Sequence, residues 1–79
     1  MAADAETEWE DRVRGMLRAE LARRNVSYME LADRLRAVGV IETHKNLSNK
    51  ITRGKFPASF FFLCMSVLGC KTIHLDRDD

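Results

Sequence analysis

The amino-acid sequence predicts an all-α domain of four helices. In three stretches, apolar residues recur three or four positions apart, which is the spacing of one helix face. Each stretch follows a Ser or Thr that can cap a helix and ends at a Gly or Asn that can stop one. With 79 residues, 46% of them hydrophobic, the chain can build one small core, and its single Pro argues against a low-complexity protein.

The first helix is predicted over residues 7–24. Thr7 and Glu10 have the spacing of a capping box, and residues 1–6 before them are small and acidic, which is typical of a flexible tail. The polar side carries five arginines, interpreted as a solvent-exposed face with partners on the same helix such as Asp11 and Glu20: Arg12, Arg14, Arg18, Arg23 and Arg24.

The second and third helices are predicted over residues 27–38 and 43–53. Ser27 and Glu30 form another capping box, and Gly39 follows the second helix. Thr43 caps the third helix, Gly54 stops it, and only Leu47 and Ile51 face inward. The middle of the chain is therefore helix, turn, helix, and the second of these two helices is mainly polar.

The fourth helix is predicted over residues 57–69, with Pro57 in its first turn and Gly69 at its end. Its residues are apolar nearly all round, so it is either the central core helix or a helix half buried in a partner. The helical domain then covers residues 7–71, and residues 72–79 form a short extended C-terminal tail. The predicted core consists of Trp9, Val13, Leu17, Leu21, Leu31, Leu35, Leu47, Ile51, Phe60, Cys64, Val67 and Leu68.

The polar face of helix 43–53 has no carboxylate. On a wheel of about 100° per residue, six polar residues lie opposite or beside the apolar side: Lys45, Asn46, Ser48, Asn49, Thr52 and Arg53. Cations, amides and hydroxyls suit an anionic, hydrogen-bonding partner such as the DNA major groove. The simpler interpretation is a solvated helix face.

The charge distribution favours a polyanion as partner. Residues 12–75 hold 12 Lys and Arg against four acids, a formal balance of +8, whereas residues 1–11 and 76–79 are acidic. A basic body between acidic ends is typical of a nucleic-acid-binding domain, although acidic helix starts are also favoured by the helix dipole.

The sequence gives no sign of an enzyme or a metal site. Cys64, Cys70 and His74 could be drawn as a zinc site, but their spacing is not a recognised pattern and Cys64 lies in an apolar run, so a buried, reduced Cys64 is predicted. Neither His44 nor His74 neighbours a nucleophile in a catalytic pattern. We expect no catalytic residue, no cofactor and no small-molecule substrate.

A membrane location is not expected. No apolar run approaches the ~20 residues that span a bilayer, and the acidic N-terminus does not suit a signal peptide. The sequence therefore predicts a cytoplasmic protein.

Several short motifs together carry a family resemblance. They are S-Y-M-E-L-A at 27–32, G-V at 39–40, I-T-R-G-K at 51–55, Pro57, and L-G at 68–69. Over about residues 27–70 the chain thereby resembles the lambda-repressor-type helix-turn-helix domain of the Cro/XRE family. The whole chain is also similar to a small bacterial family known only as a domain of unknown function. The resemblance implies a compact four-helix, lambda-repressor-like fold and DNA binding.

We therefore expect a small transcriptional regulator that inserts helix 43–53 into the major groove of double-stranded DNA. Base edges are expected to be contacted by Lys45, Ser48, Asn49 and Thr52, and Asn49 is the strongest candidate for specificity because Asn reads adenine well. Phosphates are expected to be held by Ser27, Tyr28, Asn46, Arg53 and Lys55. The alternative is a non-catalytic protein–protein interaction module on the same scaffold.

A homodimer is a further expectation, because modules of this kind usually bind two half-sites as a symmetric dimer. The interface is expected in helix 57–69, whose apolar circumference is large for so small a core, or in residues 72–75, which alternate like a strand without a partner. The alternative is that Phe61, Phe62 and Met65 pack between the first two helices of the same chain.

Overall fold

Four α-helices joined by short connections make up the fold. The structure is a computed structural model that describes residues 4–75. Its helices are α1 (Ala5–Arg23), α2 (Tyr28–Ala37), α3 (His44–Arg53) and α4 (Ala58–Leu68). Within this part of the chain no strand is present, so the all-α prediction is confirmed, and the predicted helix ends agree with the observed ones to within two residues.

Ser27 and Thr43 cap the starts of α2 and α3 as predicted, but the Glu30 carboxylate binds Arg34 and does not complete the predicted capping box. The Ser27 hydroxyl accepts a hydrogen bond from the backbone N–H of Glu30 at 3.1 Å, and the Thr43 hydroxyl accepts one from the N–H of Asn46 at 3.1 Å. Each bond satisfies a backbone donor that has no partner inside its helix.

The start of α1 differs from the prediction. Asp4, and not Thr7, is the N-cap, and its carboxylate accepts a hydrogen bond from the backbone N–H of Thr7 at 2.8 Å. An ionised carboxylate is a stronger acceptor than a hydroxyl and interacts favourably with the helix dipole, which lengthens α1 toward the N-terminus. Of the tail predicted over residues 1–6, residues 5 and 6 are therefore helical, and residues 1–3 lie outside the described part.

Three of the helices end in the same way. Asn25, Gly39 and Gly69 have φ values of 56°, 89° and 83°, which lie in the left-handed region. In each case the following N–H donates to the carbonyl five residues earlier: Val26 to Leu21, Val40 to Leu35, and Cys70 to Met65, all at 2.9 Å. This pattern is the Schellman motif, which satisfies carbonyl groups at the helix end and turns the chain sharply.

The core lies where α1 and α2 pack against both α3 and α4. Its fully buried side chains are Leu17, Leu31, Leu35, Leu47, Ile51 and Cys64. All predicted core residues are buried except three: Val13 and Val67 are half-buried against the core, and Trp9 is exposed. Val26, Ala32, Phe61 and Met65 complete the core.

Placing Trp9 in the core was wrong. Its side chain remains 40% exposed, and the guanidinium of Arg12 lies over its ring at 4.0 Å from the ring centre. Trp9 stands at the edge of a cleft where the first turns of α1 meet the connection between α3 and α4. Helical periodicity gives the side of α1 that faces inward, but not how far the neighbouring helices extend along it.

The apolar surface of α4 is mostly covered within the chain. Phe61 and Met65 are buried, whereas Phe62 is 57% exposed. In residues 72–75 the backbone is neither helix nor strand; Ile73 packs half-buried against the core, while Leu75 is 64% exposed. Residues 76–79 of the predicted tail lie outside the described part.

Candidate functional site

The polar face of α3 lies at the protein surface. Lys45, Asn46, Asn49, Thr52 and Arg53 are exposed, and Ser48 is half-buried. On the opposite side Leu47 and Ile51 are fully buried. The helix therefore presents all the predicted base-contacting side chains and two of the predicted phosphate-contacting side chains from one rigid element.

One flank of α3 is attached to the core by Lys50. Its ammonium forms a salt bridge of 2.8 Å with Glu42, and it also lies 4.6 Å from the centre of the Phe60 ring. Lys50 is thus paired and directed toward α4, which explains why it does not belong to the exposed basic face. The sequence prediction likewise left Lys50 out of the site.

The other flank of α3 is held by two arginines of α1. Arg14 donates from Nη1 to the backbone carbonyl of Thr52 at 2.8 Å and from Nη2 to the Asp11 carboxylate. Arg18 donates from Nη2 to the hydroxyl of Thr52 at 3.2 Å. The carbonyl of Thr52 is one of the last in α3 and has no partner within the helix, so Arg14 caps that end from a neighbouring helix.

This role of Arg14 and Arg18 was not predicted from the sequence. Asp11 was predicted as an intrahelical partner, and Arg14 does bind it, but the sequence gave no reason to connect either arginine with Thr52. The signal available was their spacing of four residues, which places both guanidinium groups on one stripe of α1. Nothing in the sequence states which helix that stripe faces.

Thr52 differs from the other predicted base-contacting residues. Its side chain is exposed, yet its hydroxyl already accepts from Arg18 and its carbonyl from Arg14. A threonine hydroxyl still has its own hydrogen to donate, so the predicted base contact stays a prediction. The hydroxyl is directed toward α1, at the C-terminal end of α3.

The N-terminal end of α2 lies close to this flank. Arg18, Ser27 and Tyr28 line one cleft of about 520 Å³ together with Leu21 and Val26. The Ser27 hydroxyl serves as a helix cap, and Tyr28 is half-buried. The first turn of a helix carries unpaired N–H groups that favour an anion, so the cleft joins a guanidinium to a helix N-terminus.

Lys55 lies in a different electrostatic setting. It borders a cleft of about 500 Å³ with Glu6 and Glu10 from the acidic start of α1. Gly54, at the end of α3, is buried against the same turn of α1. The cationic surface is therefore bounded on this side by carboxylates, and the two predicted phosphate ligands Arg53 and Lys55 are not equivalent.

Outside the α3 surface, the pKa values of Glu20 and Cys64 are shifted. The hydrogen bond from Arg24, at 2.9 Å, is the main reason that the pKa of Glu20 is lowered, and Arg23 adds to the effect. Burial raises the pKa of the Cys64 thiol to about 12. Cys64 is buried and free, as predicted, and Cys70 is free and half-buried. Glu20 and the two cysteines do not belong to the α3 surface.

A comparison with known proteins places the chain in a family without an established role. The family model described as "Domain of unknown function (DUF6471)" matches residues 9–73. No curated protein and no solved structure matches the chain. Across residues 4–75, each helix is too short or too polar to cross a lipid bilayer.

Proposed function

The chain belongs to the DUF6471 family, a family defined by a domain of unknown function, and we propose that it binds double-stranded DNA through α3. The four helices are proposed to form a lambda-repressor-like helix-turn-helix, with α2 and α3 as its two central helices. In this arrangement α3 enters the major groove and the N-terminal end of α2 approaches the phosphate backbone. The protein then acts as a small transcriptional regulator in the cytoplasm.

The observation that carries the proposal is the composition of the exposed face of α3. It combines Lys45 and Arg53 with the amides of Asn46 and Asn49, and α3 contains no carboxylate. Phosphates are bound by cations, whereas base edges are read by amides, hydroxyls and cations that stand on a rigid helix. These four polar side chains are not needed to pack α3 on the core, because Leu47 and Ile51 make the buried contacts.

The roles within the face follow from position. The first turns of a recognition helix reach deepest into the groove, which assigns Lys45, Ser48 and Asn49 to base edges and Thr52 to the periphery of the base contacts. Asn49 is the proposed determinant of specificity, since its amide can bind adenine through two hydrogen bonds. Asn46, Arg53 and Lys55, with Ser27 and Tyr28 of α2, are proposed to contact phosphates.

The experiment is a titration of the ¹⁵N-labelled protein with a random duplex of about 20 base pairs, at low and at physiological salt. We expect amide shifts over residues 43–55 and a dissociation constant that rises steeply with salt. Each neutralised phosphate contributes about 0.9 to the slope of log K against log salt concentration. The variant Arg53→Gln should lower that slope by about 1. Arg36→Gln, which removes an exposed cation from the last turn of α2, is the matched control.

Absence of binding at low salt would contradict the proposal. Binding with shifts confined to α4 would also count against α3 as the contact surface. The variant Asn49→Ala tests the base contact separately. Loss of this contact should weaken binding by about 1–3 kcal/mol on the preferred sequence and by little on random DNA.

A second candidate is a protein–protein interaction module, and self-association is its most specific form. The side chain of Phe62 is 57% exposed on α4 and borders an apolar cleft of about 510 Å³ that is also lined by Met65, Gly69 and Ile73. An aromatic side chain beside an apolar cleft is a surface that can be its own complement across a two-fold axis. We propose this face as the homodimer interface, with residues 72–75 at its edge.

Sedimentation at tens of micromolar tests the dimer. Phe62→Ala should convert a dimer to a monomer, whereas Met29→Ala, which truncates an apolar side chain that is 63% exposed on α2, should not. Truncation after Lys71 then separates α4 from the tail, because the dimer survives if α4 alone forms the interface. A wild-type mass of about 9 kDa that does not change with concentration would exclude self-association in this range.

A further inference from the structure

Arg18 differs in how its charge is balanced from three of the four other arginines of α1; the fourth, Arg12, lies over the ring of Trp9. Arg14 forms a salt bridge with Asp11, and both Arg23 and Arg24 form salt bridges with Glu20. Arg18 has no such bridge to any carboxylate within residues 4–75; its hydrogen bond goes to the neutral hydroxyl of Thr52. Its positive charge therefore remains available at the surface, where the side chain is exposed.

The hydrogen bond to Thr52 also fixes where that charge lies. A guanidinium has several N–H donors in one plane, and the bond from Nη2 leaves the others unused. The same side chain lines the cleft that contains Ser27 and Tyr28 at the start of α2. Arg18 thus stands between the exposed face of α3 and the N-terminal end of α2, which are two parts of the proposed DNA surface.

We propose that Arg18 is a phosphate-binding residue and that the DNA-binding surface extends from α2 and α3 onto α1. This inference rests on the proposed function. A phosphate placed over the cleft would receive hydrogen bonds from the free N–H groups of Arg18 and from the backbone N–H groups at the start of α2. Thr52 acts here as the group that orients the guanidinium, so less side-chain freedom is lost on binding.

The salt dependence of binding distinguishes a phosphate contact from a structural role. Arg18→Gln should lower the slope of log K against log salt by about 1, and Arg18→Lys should restore it because the charge is retained. The matched control is Arg23→Gln, which removes one positive charge from an exposed position of the same helix. A purely structural arginine would change the melting temperature without changing the slope.

A measurement on the wild-type protein avoids the question of variant folding. On addition of the duplex, the Nε–H resonance of Arg18 should move along the same titration curve as the amides of α3, and that of Arg23 should stay in place. An unchanged slope for Arg18→Gln together with a stationary Arg18 resonance would overturn the inference while leaving the proposed function intact. Loss of salt-dependent binding in the wild type would overturn the proposed function, and this inference with it.

Discussion

Replacing Gly54 by alanine tests the packing that holds α3 on α1. Gly54 ends α3 with φ at +71°, and a Cβ added there would lie 2.9 Å from the backbone carbonyl oxygen of Glu10. The contact is with main chain and not with a flexible side chain, so α1 or the end of α3 must shift. The substitution therefore combines a backbone conformation that alanine disfavours with a steric conflict between two helices.

The structure allows these two effects to be separated. The left-handed conformation costs a non-glycine residue about 1–2 kcal/mol, and an overpacked contact costs about 1–3 kcal/mol more. Gly39 has a similar positive φ of +89°, but a Cβ there meets no atom within 4 Å, so Gly39→Ala reports the conformational cost alone. We expect Gly54→Ala to destabilise the domain by about 3 kcal/mol in total.

Urea unfolding and thermal unfolding, both followed by circular dichroism, provide the assays. An added cost of about 2 kcal/mol for Gly54→Ala over Gly39→Ala corresponds to a difference in Tm of roughly 8–16 °C for a domain of this size. Gly15→Ala is the opposite control: Gly15 lies inside α1 with open space around its Cα, so alanine should stabilise the protein by about 0.5–1 kcal/mol. Equal destabilisation by Gly54→Ala and Gly39→Ala would refute the close approach of α1 to the end of α3.

Three other predictions follow from single contacts. Thr43→Ala removes the cap of α3 and should cost about 1 kcal/mol, measured by urea unfolding, with Thr43→Ser as the control that keeps the hydroxyl. A thiol reagent at about pH 8 should modify Cys70 but not Cys64 until the protein unfolds, because Cys64 is fully buried and burial raises its pKa to about 12; rapid labelling of both thiols would contradict this. Since the pKa of Glu20 is lower in the folded protein than its usual 4.5, Glu20 stabilises the fold above that pH and loses this effect as the pH falls through its folded value. Glu20→Gln should therefore cost about 1 kcal/mol at pH 7 and progressively less as the pH falls below the pKa that Glu20 has in the folded protein. A cost independent of pH would be inconsistent with the salt bridges to Arg23 and Arg24.

The four helices were largely predictable because their determinants are local. Ser27 and Thr43 cap helices as their sequence context indicates, and Gly54 and Gly69 stop them. These residues act through backbone groups within one turn, so their effect can be read without knowing the tertiary structure. Where a second local signal competed, as with Asp4 before Thr7, the stronger acceptor was the observed cap.

The candidate site was predictable in composition but not in its surroundings. The exposed face of α3 follows from the positions of Leu47 and Ile51 on the helix. The hydrogen bonds of Thr52 to Arg14 and Arg18 could not be predicted, because they depend on which stripe of α1 faces which end of α3. The exposure of Trp9 has the same origin, since it depends on where the neighbouring elements end.

The bond between Arg14 and Thr52 has a consequence for the order in which the helices form and open. The ends of α1, α2 and α4 are closed by bonds between residues five apart, which form within microseconds in a local segment. The end of α3 also has a local bond, from the Gly54 N–H, but its Thr52 carbonyl accepts from Arg14 of α1, a contact that spans 38 positions. In α3 only two apolar side chains are fully buried. The contact between Arg14 and Thr52 must wait until the chain between these residues has been ordered. We therefore expect the amides of α3 to exchange with solvent through a local opening that leaves the other three helices folded, and a partner bound to α3 to suppress exchange there first.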